Sequence, residues 1–153
     1  MSIVVAVDFS VVTDRLLEQA RMLAGWSGAS IRLVHVAAPD PDFVGYDVGP
    51  QHVRDRLAEH FREEHQHLHR MAEALRSSGV DATAVLVQGN TAEMVLKEAA
   101  QVNAEMVVIG SHGHGALFHA LMGSVGSSIV RQSRCPVLVV PSRGAEPSVS
   151  GRE

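Results

Sequence analysis

Two clusters in this 153-residue chain have the makings of a ligand-binding crevice. Asp8 closes an apolar run near the N-terminus, with Ser10 close behind. Gly110, Ser111, His112, Gly113, His114 and Gly115 close a second apolar run far later in the chain, and Gly123 and Ser124 follow. Glycine lets backbone amides approach an anion closely, and a helix beginning at Ser124 would add free N–H groups and its dipole, both of which favour phosphate. Neither common nucleotide signature is present. A P-loop needs Lys after its last glycine, where Gly115 is followed by Ala116 and Leu117; a dinucleotide fingerprint opening at Gly113 fails at Phe118. Lysine-driven phosphoryl transfer is therefore unsupported, while a loop suited to polyphosphate is. On the glycines alone, a plain strand-to-loop turn at Gly110 and Gly113 stays open.

The histidines are the other chemically loaded group. Of the nine, His60, His65, His67 and His69 fall in a long helical stretch from about Val53 to Ser77. At roughly 100° per residue, Val53, Leu57, Phe61, Leu68, Met71 and Leu75 form its apolar stripe. His60 and His67 then sit on one shoulder and His65 and His69 on the other. Catalytic zinc wants three protein ligands converging on one point, and no H-E-x-x-H occurs, so a dedicated metal centre is not expected. His60 and Glu64, four apart, read as an ion pair.

These residues need elements to position them. Five short runs rich in β-branched residues read as strands: Ile3 to Val7, Ile31 to Val36, Ala82 to Val87, Met106 to Ile109 and Val137 to Val140. Most are apolar at nearly every position, as a sheet covered on both faces requires, and helical segments separate them. The βαβαβαβαβ order implies an α/β fold with an open parallel sheet. The first helix follows Thr13 and Asp14, a capping residue and an acid for the first turn, and Gly28 ends it; Asn90 with Glu93 opens the third through a capping box; the fourth starts near Ser124. In such a sheet ligands bind beyond the carboxyl ends of the strands, where strand order reverses. Asp8 and Gly110 both stand at such ends.

Ala37 to Gln51, with three Asp and three Pro, reads as a long loop, either a functional lid or a tolerated excursion. Residues 142–153 read as a disordered tail. The net charge of −4, with no basic run and only one Trp, one Tyr and four Phe, argues against nucleic acid. The apolar runs are too short to cross a bilayer and no signal peptide is apparent, so no membrane association and a cytoplasmic location are expected. The lone Cys135 forms no internal disulfide and reads as a buried, inert thiol.

Gly110, two residues, Gly113, nine residues, then Gly123 and Ser124 resembles without a gap the ATP-binding motif of the universal stress protein family. The likeness extends through Ile3 to Ser10 with its Val7-Asp8-Phe9-Ser10, Leu33 to Val36, Gly89, Val108 to Gly113, Gly123 to Val125 and Cys135 to Val140, placing a family domain over residues 1–141. The resemblance implies a Rossmann-like sheet ordered 3-2-1-4-5 with helices on both faces. It implies ATP, with Mg2+, as ligand. Ala6, Val7, Asp8 and Val36 would line the adenine and ribose pocket; Ile109, Gly110, His112 and Gly113 would contact ribose and phosphates; Gly123, Ser124 and Val125 would hold the phosphates. It also implies homodimers, often paired through the fifth strand. His114 departs from the family, standing where Arg or Lys is frequent, and would make phosphate affinity depend on pH. Gly126 stands where a helix former is usual and implies a first turn that is loose or pressed against a ligand. The function implied is a nucleotide-dependent regulatory or sensor module in stress response. A slow ATPase or autophosphorylating enzyme, with Asp8 on Mg2+ and His112 or Ser124 as acceptor, is one alternative. A dimeric interaction protein of the same fold without nucleotide is the other.

Overall fold

A computed structural model describes residues 1–37, 51–111 and 122–142. The strands are β1 (Ser2–Ala6), β2 (Ser30–Ala37), β3 (Ala82–Gln88), β4 (Met106–Gly110) and β5 (Val137–Val140); the helices are α1 (Thr13–Ser27), α2 (Gln51–Ser77), α3 (Thr91–Gln101) and α4 (Ser124–Gln132). All five strands are parallel, in the order β3-β2-β1-β4-β5.

The near-continuous apolar strands are explained by two covering layers. Ile3, Val5, Ile31 and Leu33 point to one face, against Leu16, Ala20 and Ala24 of α1 and Leu68, Ala72 and Leu75 of α2. Val4, Val34, Val107 and Ile109 point to the other, against Ala92, Val95 and Ala99 of α3 and Ile129 of α4. Each fully buried Val, Leu or Ile contributes about 1.5–3 kcal/mol. On the second face Arg32 of β2 reaches the buried Glu98 of α3, its Nη2 donating to Oε2 at 2.6 Å.

The helix ends follow local chemistry, with one correction. Asn90 Oδ1 accepts from the Glu93 N–H at 3.1 Å, as the capping-box pattern predicts, and Gly28 adopts φ 71 to close α1. Thr13, however, does not cap α1. Val12 holds that position, Thr13 is the first helical residue, and its buried Oγ1 has no hydrogen-bond partner among the described residues. The turn is closed by backbone instead, Thr13 N–H donating to the Ser10 carbonyl at 3.0 Å. Cys135 is half-buried, not fully buried, at the rim of the second core.

The α2 stripe is only partly used. Leu68, Ala72 and Leu75 are buried, but Val53, Leu57 and Phe61 are half-exposed. A helix of 27 residues is about 40 Å long, and an eight-residue strand such as β2 about 26 Å, so the N-terminal half of α2 overshoots the sheet. That overhang supplies one wall of the site.

Candidate functional site

Strand order reverses between β1 and β4, whose register sets Val5 beside Val108. Asp8 and Gly110 therefore leave the sheet at the same edge. A cavity of about 1040 Å³ opens there, at the upper end of what small-molecule sites usually offer.

Each wall follows from its element. Beyond β1, Val7 N–H still donates to the Val34 carbonyl at 2.9 Å, and Asp8 Oδ1 accepts from the Ser10 N–H at 3.0 Å, turning the chain toward α1. The turn forces Phe9 to φ 59, a conformation that costs an L-residue roughly 1–2 kcal/mol. Its ring packs against two imidazoles, tilted at 4.3 Å from His35 and stacked at 4.5 Å on His67, nearly parallel to the latter at 13°. Beyond β4, the buried Ser111 acts as a clasp. Its carbonyl accepts from the Gly123 N–H at 2.9 Å and its hydroxyl from the Ser142 N–H at 3.2 Å. This holds the N-terminus of α4 against the end of β4. Gly123 sits at the N-cap without a side chain to satisfy the first-turn amides, and Gly123, Ser124, Val125 and Gly126 all line the cavity.

Helix α2 contributes His60, Glu63 and Glu64 from the overhang and His67 and Arg70 from the turns beyond it. Glu64 is central: its Oε1 stands 3.3 Å from His35 Nε2 and 3.2 Å from His60 Nε2. His35 Nδ1 lies 2.8 Å from the Val7 carbonyl, which can only accept, so Nδ1 carries hydrogen and donates. His35 Nε2 and Glu64 Oε2 are both buried and lack a hydrogen-bond partner among the described residues. Buried polar atoms left this way in a cavity wall are ordinarily answered by water or ligand. No three His, Cys, Asp or Glu side chains among the described residues stand in metal-holding geometry.

Of the residues singled out from the sequence, Ala6, Val7, Asp8, Val36, Ile109, Gly110, Gly123, Ser124 and Val125 all line this one cavity. His112, Gly113 and His114 lie outside the described residues, as do 38–50 of the long loop and 143–153 of the tail. The first turn of α4 is helical, and Gly126 is buried against neighbours rather than loose. A Cβ there would meet Met122 Cγ at 2.9 Å and Ile109 Cδ1 at 3.5 Å.

Sequence reasoning missed Phe9, His35, His67 and Arg70 as lining residues. The available signal was His35 itself, a lone histidine in the otherwise apolar run Leu33 to Val36. The pairing of His60 with Glu64 was legible, but not the third member from β2.

The sequence profile described as the universal stress protein family matches residues 1–141. A universal stress protein of Thermus aquaticus, encoded 3′ of a sulfhydrylase gene, is 33% identical over 142 residues, spanning 91% of this chain and 97% of its own. Among solved structures, a universal stress protein in complex with cAMP superposes with a TM-score of 0.65 at 21% identity, covering 94% of this chain and 98% of the other. A universal stress protein of Archaeoglobus fulgidus in complex with dAMP superposes with a TM-score of 0.61 at 22% identity, covering 91% and 96%. With a profile spanning nearly its whole length and a full-length relative at one-third identity, this chain belongs to the universal stress protein family.

Proposed function

We propose that the chain binds ATP, as MgATP, in the cavity between the ends of β1 and β4, and serves as a nucleotide-dependent regulatory module in stress response. One observation carries this reading. The clasp at Ser111 holds the N-terminus of α4, led by Gly123 and Ser124, at the mouth of an apolar cleft formed by Ala6, Val7, Val36 and Ile109. A base and ribose fit the apolar part; phosphates suit the helix N-terminus, where first-turn amides and the dipole favour anions.

The residues present fit such a group. Among the described residues, a Cβ built on Gly123 would find only the Ser111 carbonyl oxygen, at 3.9 Å, which leaves room before α4. The cAMP and dAMP held by two structural neighbours are the same adenine-nucleotide class. Triphosphate rather than monophosphate is proposed because the glycine pattern from Gly110 to Ser124 resembles the family's ATP-binding motif. His112, Gly113 and His114 are proposed to complete the phosphate cradle.

The test is to denature freshly purified protein and analyse the released small molecules by chromatography and mass spectrometry, beside Gly123→Val. The open space at Gly123 lets the variant fold while its side chain fills the phosphate position. Adenine nucleotide released from the wild type and absent from Gly123→Val is the expected result. Equal amounts released from both would place the nucleotide elsewhere.

A further inference from the structure

The face of α2 turned away from the cavity carries a pair of imidazoles with a geometry of its own. His65 and His69, one helical turn apart and both exposed, present their Nε2 atoms to each other at 3.1 Å. Their ring centroids are 4.3 Å apart and their planes tilted by 52°, so the rings meet through their nitrogen edges and do not stack. Two neutral imidazoles can meet this way only when one Nε2 bears hydrogen and the other a lone pair. A divalent metal ion shared by two lone pairs satisfies the same arrangement. Nitrogens bonded to one ion at about 2.0–2.1 Å stand roughly 2.9 Å apart at a right angle and about 3.4 Å apart at the tetrahedral angle. The observed separation of 3.1 Å lies between these limits.

The surroundings leave the pair available. Arg62, one turn before His65, has its Nε engaged by the Ala58 carbonyl at 3.2 Å. Glu73, one turn beyond His69 on the same stripe, is an exposed carboxylate. His60 and His67 belong to the opposite shoulder, where they line the cavity. Two ligands four residues apart on a helix that is already folded need no rearrangement of backbone to chelate.

We propose that His65 and His69 form a bidentate site for a divalent transition-metal ion of the Zn2+, Ni2+ or Cu2+ class. Imidazole suits these ions, with Cu2+ held most tightly, whereas Mg2+ prefers oxygen. Its remaining coordination positions stay open to water or to a donor from another molecule. This site is separate from the nucleotide cavity and does not depend on that reading.

Calorimetric titration of the nucleotide-free full chain with Cu2+, Zn2+ and Mg2+ tests it, in the wild type and in His65→Gln, His69→Gln and His52→Gln. Loss of even an outer-shell partner weakens metal sites about ten- to a hundredfold, so His65→Gln and His69→Gln should each weaken Cu2+ and Zn2+ by at least about tenfold. His52→Gln, at an exposed α2 histidine away from both the pair and the cavity, should bind like the wild type, Mg2+ should not compete, and Zn2+ should raise Tm in the wild type and His52→Gln alone. Wild-type affinity retained in His65→Gln, or failure of the wild type to bind Cu2+, would overturn the site.

Discussion

Phe9 shows how a single residue holds the site's shape at a cost. Its positive φ is imposed by the turn that Asp8 makes with Ser10, and the strain is offset by the two imidazoles that pack against its ring. Aromatic contacts of this kind contribute about 0.5–1.5 kcal/mol each. Phe9→Ala keeps the strain and loses the contacts, and should cost about 1–3 kcal/mol in urea unfolding. Phe9→Gly loses the same contacts but adopts φ 59 freely, and should be more stable than Phe9→Ala by about 1 kcal/mol. The reverse order would show that the backbone at this position is not the strained element. At this scale the sequence was informative where chemistry is local. Asp8, Gly110 and Gly123 announce themselves by type and by their place at strand ends and a helix start. Phe9 and His35 do not, because their roles arise from rings brought together by β1, β2 and α2, and no spacing along the chain encodes that meeting.

Gly126 makes the corresponding case for an element. In a helix a glycine costs about 1 kcal/mol relative to alanine, yet α4 carries one in its first turn. The cause is close packing, since an added Cβ would sit 2.9 Å from Met122 Cγ. Gly126→Ala alone should therefore gain little, whereas in a Met122→Ala background it should gain about 1 kcal/mol. An identical effect in both backgrounds would remove Met122 as the reason. Helices α3 and α4 were readable from Asn90, Glu93 and Ser124, because capping acts within a few residues. The start of α1 was placed within a residue or two, but its cap was not readable: Thr13 has the type of a capping residue, yet its side chain is buried under the fold and the backbone of Ser10 closes the turn. The apolar stripe of α2 was correctly periodic, but periodicity carries no record of where the sheet ends. Only the fold shows that Val53, Leu57 and Phe61 overhang it, bringing Glu64 to His35.

For the whole molecule, the parallel sheet followed from strands apolar on both faces and helices between them, and the order β3-β2-β1-β4-β5 matches what the family resemblance implied. That order leaves β5 at an edge; among the described residues no strand pairs with its outer side, and we propose that a second copy does. Sedimentation equilibrium should therefore give twice the 16.4 kDa chain mass at micromolar concentration; a single-chain mass throughout would remove β5 as a self-pairing edge. The same order is what joins Asp8 to Gly110 and gives the molecule its cavity. The most direct measurement is a calorimetric titration of nucleotide-free protein with MgATP, in the wild type and in Gly123→Val. Nucleotide binding in this cavity requires saturable uptake of one MgATP per chain in the wild type and its loss in Gly123→Val. Absence of binding in the wild type, or binding unchanged by Gly123→Val, would contradict it.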